Sequence, residues 1–295
     1  LHIPDGFLDL SIAAIFYLMT MSVVGFSLLK MSKQKFNGAL IGIVAAAIFA
    51  VQMLNWPIPG GTSAHFVGGA LAGILLGPYA GCLAMTLVLV IQGLVFADGG
   101  LTALGANIWN MAVVNVFVGY YIYRALERTN KSVAAFAAGW LGITMAAIFT
   151  GMEVGLSSSF KYSLTTAVTV MGTWHGILGI IEGIITTSVV TYIASMRPDL
   201  LEGRAETAPG KMAYAAITVM IVLSPLFAYT AELVGYSEPL ENVAEMLGAE
   251  EHPIYEGLLP DYTVPGLDPY IGTIISAVTG VAIVMGIGYG MRRYA

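Results

Sequence analysis

The sequence predicts an all-α, polytopic membrane protein of about nine transmembrane helices. Three observations carry that expectation. Of 295 residues, 57% are hydrophobic and 10% charged, where a soluble domain carries about 25% charge. Uncharged stretches long enough to cross the roughly 30 Å hydrocarbon core of a bilayer recur from Ser11 to Ala295. Strict alternation of a barrel strand is absent, and backbone groups in lipid must be satisfied within their own segment, so helices remain.

Taken in order, the spans are 10–29, 38–54, 64–76, 79–96, 106–126, 132–152, 173–196, 212–234 and 270–291. The first apolar run precedes Lys30, the first lysine, so no positively charged leader is present and no secretory signal is expected. Gly77-Pro78 breaks the third apolar run, as either the turn of a hairpin or the kink of one long helix. A hairpin puts eleven of the twelve basic residues on one side: Lys30, Lys33, Lys35, Arg124, Arg128, Lys131, Arg197, Arg204, Lys211, Arg292 and Arg293. The positive-inside rule then selects the hairpin, with the N-terminus outside and the C-terminus cytoplasmic. Residues 197–211 have linker composition and divide the chain into a seven-helix module, 1–196, and a two-helix module, 212–295. Membrane lipid is the expected surrounding, and a net charge of −6 argues against a nucleic-acid partner.

Between the last two spans, residues 235–269 hold eight acidic residues (Glu238, Glu241, Glu245, Glu250, Glu251, Glu256, Asp261 and Asp268) and no Lys or Arg. This reads as a solvated loop kept outside, or as a field that concentrates cations at an external mouth. Gly69, Gly73, Gly77 and Gly81 recur every fourth residue, a pattern for close helix packing within the bundle or for docking of another subunit. Cys82 lies inside an apolar run and, being the single cysteine, allows no internal disulfide.

The chemistry concentrates at the expected outer end. A free amine on Leu1 is one peptide unit from the His2 imidazole. A metal held by that amine and the deprotonated His2 amide closes a five-membered ring, and His2 Nδ1 adds a six-membered ring. These three nitrogens are nearly coplanar. A fourth, from His65, completes a tetragonal nitrogen set that suits Ni(II) or Cu(II) better than Zn(II). Two prolines, Pro57 and Pro59, stiffen the loop before His65, and Thr62 or Ser63 is expected to cap a helix carrying it. Asp5 is expected to orient a ligating imidazole through its other nitrogen. The turn Ala97-Asp98-Gly99-Gly100-Leu101-Thr102 faces the same side, either as a lid over the site or as plain turn chemistry. Gln92, Asn107, Asn110, Asn115, Glu153 and Glu182 are polar groups within the bundle. His175 opens the seventh span and lies seven residues before Glu182, two turns along one face, which reads as a relay or as a structural strut. No Gly-x-x-x-x-Gly-Lys-Ser/Thr loop and no His-Glu-x-x-His occurs, so the chain alone neither powers transport with ATP nor matches a zinc protease.

Four stretches together carry a resemblance. They are Leu1-His2-Ile3-Pro4-Asp5-Gly6-Phe7-Leu8, Pro57-Ile58-Pro59-Gly60-Gly61-Thr62-Ser63-Ala64-His65, Asp98-Gly99-Gly100-Leu101-Thr102-Ala103-Leu104-Gly105-Ala106-Asn107, and His175-Gly176 followed by Glu182-Gly183. Over residues 1–196 the chain resembles the substrate-binding M component of nickel and cobalt energy-coupling-factor importers, NikM/CbiM. The resemblance implies a metal site at the N-terminal amine, His2 and His65. It also implies no resident cofactor, a transported Ni²⁺ or Co²⁺, a transmembrane T/Q-type coupling subunit and cytoplasmic ATPase subunits. Asp5, Asp98, Asn107, His175 and Glu182 are the supporting or gating candidates. Residues after the linker, including Leu240-Glu241-Asn242-Val243-Ala244-Glu245 and Leu259-Pro260-Asp261-Tyr262-Thr263-Val264-Pro265-Gly266, are similar to the two-span N component of the PDGLE type. Its Pro-Asp-Gly-Leu-Glu string is not intact; Glu238-Pro239-Leu240-Glu241 is the nearest remnant.

One departure is Leu1, where the family begins with methionine; it reads as a non-AUG start codon translated literally, with methionine the expected first residue. The expected function is capture of divalent nickel in an ATP-dependent importer, with a cobalt importer supplying cobalamin biosynthesis as the alternative. Readings from other classes are an intramembrane enzyme using His175 and Glu182, or a metal sensor.

Overall fold

The computed structural model describes residues 1–33, 37–58, 62–203, 210–234, 240 and 251–291. Lys35, Pro59, Gly60, Gly61, Arg204, Glu238, Glu241, Glu245, Glu250, Arg292 and Arg293, used in the sequence reading, lie outside them. The described residues are mostly helical. Helix α1 spans Leu10–Met31, α2 Gly38–Gln52, α3 Gly69–Leu76 and α4 Pro78–Ile91, which runs on into a π turn, Gln92–Phe96. Helix α5 (Leu104–Ile108) passes through a second π segment, Trp109–Val114, into α6, Asn115–Leu126. Then come α7 (Lys131–Leu156), α8 (Leu164–Met196), α9 (Lys211–Val234) and α10 (Pro269–Met291). Among the described residues, six helices are long and apolar enough to cross a membrane, so this is a multi-pass membrane protein.

Polar side chains set where the helices begin. Asp9 caps α1 by accepting from the Ser11 and Ile12 N–H groups, and Asn37, Asn130 and Ser163 cap α2, α7 and α8 in the same way. The Ser11 hydroxyl and the Ser158 and Ile12 N–H groups hold the Asp9 carboxyl far below the usual carboxylate range. Helix α8 starts nine residues before the expected 173 because Ser163 supplies this cap.

Gly77 ends α3 with φ +80° and ψ 168°, and Pro78 occupies the first turn of α4. A Cβ at Gly81 would lie 2.9 Å from the Ala72 carbonyl, so the chain doubles back and the break is a hairpin. The expected span 64–76 needs correction. It is helical only from Gly69, and eight residues at 1.5 Å each reach about 12 Å, well short of the bilayer core. Before it stands a two-stranded ribbon, Trp56–Ile58 paired antiparallel with Thr62–Ala64, with Trp56 opposite Ala64. The docking surface considered for Gly69 and Gly73 is also corrected. Cβ atoms there would lie 2.7 Å from the Met111 and Val116 carbonyls, so this face is closed by the α5–α6 run.

The last helix packs on the body of the bundle. A Cβ at Gly42 of α2 would lie 3.0 Å from Gly288 Cα of α10, a backbone approach that only small residues permit. The segment before α10 lies against the N-terminal residues and the π turn that follows α4, with His252 N–H donating to the Asp5 carbonyl at 3.0 Å and Leu258 N–H to the Val95 carbonyl at 2.8 Å.

Candidate metal centre

The first five residues are an ordered, buried part of the fold. Leu1, His2 and Ile3 are 3%, 4% and 0% exposed. Ile3 N–H donates to Asn107 Oδ1 at 2.8 Å, and Asn107 Nδ2 donates back to the Ile3 carbonyl at 3.2 Å. Gly100 N–H reaches the same carbonyl at 2.9 Å. Asn107, on α5, is thus the side chain that grips the N-terminal segment.

The expected role of Asp5 is corrected. Its Oδ1 accepts from the Thr102 N–H at 2.7 Å and the Thr102 hydroxyl at 2.6 Å, and its Oδ2 from Ile254 N–H at 3.2 Å. These bonds fix the backbone on either side and do not orient an imidazole. Asp98 is the carboxylate at the histidine: its Oδ1 lies 3.0 Å from His2 Nδ1. The π turn ends at Ala97 in the left-handed region, φ 56°, and this reversal carries Asp98 to His2. The Asp98–Thr102 turn packs directly on residues 2–5.

His65 is delivered differently from the expectation. It follows the second strand in non-helical chain, and Gly68, with no side-chain cap bond, precedes α3. Thr62 and Ser63 therefore lie in the ribbon, ahead of the non-helical stretch that precedes α3. The backbone after His65 is satisfied from far away. Glu182 of α8 accepts from the Val67 N–H at 3.0 Å and the Gly68 N–H at 2.8 Å, while Gln52 Nε2 donates to the Val67 carbonyl at 2.7 Å. Glu182 is thereby the strut that holds the His65 segment. His175 lies well inside α8, not at its start, with Nδ1 3.0 Å from the Met171 carbonyl. It shares a small cavity with Leu1, His65 and Glu182.

The result is a pair of imidazoles. The His2 and His65 ring centroids are 5.6 Å apart with 21° between planes. Nitrogen ligands stand about 2.0 Å from a metal, so rings this close are within reach of one ion. His65 Nδ1 lies 3.1 Å from the Phe66 carbonyl, which favours a proton there and a lone pair on Nε2. His2 Nε2 is buried with no hydrogen-bond partner. Among the described residues no three His, Cys, Asp or Glu side chains form a metal-holding group, so an ion between these rings would need main-chain or terminal donors as well. His2 and His65 open onto a cleft of about 670 Å³ whose lining, among the described residues, includes Glu251, Glu256 and Asp261 and no Lys or Arg.

Residues 2–200 match the CbiM family, described as a cobalt uptake substrate-specific transmembrane region, and residues 216–294 match the PDGLE domain. A putative fused nickel transport protein NikMN of Archaeoglobus fulgidus is 68% identical, over 100% of this chain and 99% of its own. A probable fused nickel transport protein LarMN of Lactiplantibacillus plantarum is 32% identical, over 99% and 98%. The crystal structure of a truncated transition metal transporter matches with a TM-score of 0.61 and 37% identity, covering 66% of this chain and 99% of that one. With the family match spanning His2, His65, Asn107 and Glu182, and the second match covering most of the last helix pair, the chain belongs to the CbiM family and carries a PDGLE domain fused behind it.

Proposed function

We propose that this protein is the metal-capturing and accessory subunit of an ATP-dependent energy-coupling-factor importer, with nickel preferred to cobalt. The observation that carries the reading is the stacked His2–His65 pair beside the buried Leu1. The ion is the substrate, held in a plane by the Leu1 amine, the His2 amide, His2 Nδ1 and the His65 imidazole. Nδ1 now meets Asp98. A half-turn of the ring about Cβ–Cγ releases Nδ1 for chelation and moves Nε2 to the place of Cε1, one ring bond from the nitrogen that Asp98 holds. Asp98 then accepts a hydrogen bond from the Nε2–H, as the usual carboxylate partner of a ligating histidine does.

Nickel is favoured because four nitrogens in a plane, one a strongly donating amide, suit low-spin d⁸ Ni(II). Co(II) lacks that preference and lies below nickel in the Irving–Williams order. The two fused relatives are also named for nickel, whereas the CbiM description names cobalt. The deciding measurement is uptake by cells given both ions at equal low concentration. Nickel is expected to accumulate, His65→Ala to abolish most of that uptake, and cells lacking the protein to lose it. Preferential cobalt uptake overturns the nickel assignment, and undiminished uptake by His65→Ala overturns the site.

The modules 1–196 and 212–295, joined by 197–211, orient with the site outside, since eleven of the twelve basic residues then face the cytoplasm. Thiol labelling of single cysteines placed at exposed Arg128 and exposed Glu256 is expected to mark them from opposite sides. Labelling of both from one side refutes the orientation. Release inward falls to a membrane coupling subunit and cytoplasmic ATPases, because no phosphate-binding loop occurs in this chain.

A further inference from the structure

Tyr262 lies in a short 3₁₀ turn, Pro260–Tyr262, in the segment leading to α10. Its hydroxyl donates to Asp98 Oδ2, while Asp98 Oδ1 lies 3.0 Å from His2 Nδ1. The same hydroxyl is 3.2 Å from Gln92 Nε2, Gln92 donates to Gln52 at 2.7 Å, and Gln52 donates to the Val67 carbonyl at 2.7 Å. A chain of polar contacts therefore runs from His2 to the backbone just after His65. Tyr262 is the link in it that comes from the PDGLE domain.

Two further observations indicate that this placement is imposed. Asp261 and Tyr262 both have positive φ, 51° and 56°, a conformation that non-glycine residues hold only when the surroundings over-determine it. The anchors that do so are visible. Leu258 and Leu259 N–H groups both donate to the Val95 carbonyl, at 2.8 and 2.7 Å, and His252 N–H donates to the Asp5 carbonyl at 3.0 Å. The tyrosine ring stacks on Phe96, centroids 4.7 Å apart and planes 16° apart.

We infer that Tyr262 is a positioning residue of the metal centre: its hydroxyl holds Asp98, and through Asp98 it sets the orientation of the His2 imidazole, so the fused domain completes the site. The inference rests on the metal-site reading above. A carboxylate that can turn freely orients a histidine poorly, whereas one fixed at its second oxygen presents the first in a set direction. Partners of this kind, one bond removed from a ligating histidine, typically change metal affinity 10- to 100-fold.

Tyr262→Phe tests this because it keeps the stacked ring and removes only the hydroxyl. In the full-length, untagged protein, nickel affinity is expected to fall about 10-fold, and the visible absorption of bound nickel is expected to shift, with the melting temperature within a degree or two of the parent. Asp98→Asn is expected to reproduce the loss, and the double variant to be no weaker than Asp98→Asn, since the two act in series. Wild-type affinity and spectrum in Tyr262→Phe, with binding lost in His65→Ala, overturn the inference alone. Wild-type affinity in His65→Ala overturns the site reading and this inference with it.

Discussion

Adding one residue ahead of Leu1 is expected to abolish metal uptake while leaving expression and membrane insertion intact. Two effects act together. The primary amine becomes an amide, which removes one of the four proposed donors and changes the chelate rings. The added residue must also enter a space where Leu1 is 3% exposed and shares a small cavity with Trp56, His65, His175 and Glu182. The plane that joins Leu1 and His2 to His65 can then no longer form, and uptake through it is expected to fall by more than the roughly 10- to 100-fold associated with losing an outer partner. Histidine would then stand third, and amine, two amides and imidazole can fill the plane by themselves. Residual binding in the extended protein should accordingly be indifferent to His65→Ala. Uptake by an N-terminally tagged protein equal to that of the untagged one would falsify the amine ligand.

The order of the helices was legible because charge and hydropathy are local properties of the chain. The hairpin at Gly77-Pro78 was legible through arithmetic on basic residues, and Gly77, at φ +80°, supplies its physical cause. What escaped the sequence depends on partners far along the chain. His65 was expected on a capped helix, yet Glu182, 115 residues from Val67, satisfies that backbone and lets it run extended. Asp5 and Asp98 are both carboxylates near histidines; only the fold decides that Asp5 meets Thr102 while Asp98 meets His2. The π segments at Gln92–Phe96 and Trp109–Val114 insert extra backbone without altering the apolar pattern, so hydropathy is blind to them. Tyr262 is the extreme case, being 164 residues from its carboxylate. Its one sequence signal is its place in the Leu259-Pro260-Asp261-Tyr262 stretch of the second module.

Gly100→Ala is expected to cost metal binding on the order of the 10- to 100-fold associated with loss of support around a site, although Gly100 touches no proposed ligand atom. A Cβ there would lie 2.2 Å from the Asp5 nitrogen, 2.5 Å from Asp5 Oδ1 and 2.6 Å from the Pro4 carbonyl carbon. These are mostly backbone atoms, so no rotamer change relieves the clash. The N-terminal segment must move off the turn, and with it go the Gly100 N–H to Ile3 bond of 2.9 Å and the Thr102 to Asp5 bonds of 2.7 and 2.6 Å. Three of the four proposed donors belong to Leu1 and His2, so displacing this segment dismantles the plane while His65 stays on the stretch that follows the ribbon. The helices themselves are untouched, because Gly100 lies between the π turn and α5. Circular dichroism should match the parent, and limited proteolysis should cut the N-terminal segment faster. Gly176→Ala is the control: a Cβ there meets nothing within 4 Å, and alanine in a helix interior is favoured over glycine by up to about 1 kcal/mol. Parent-like nickel affinity in Gly100→Ala would show that the turn does not hold the segment in place and that the close packing of residues 2–5 on it is dispensable for the site.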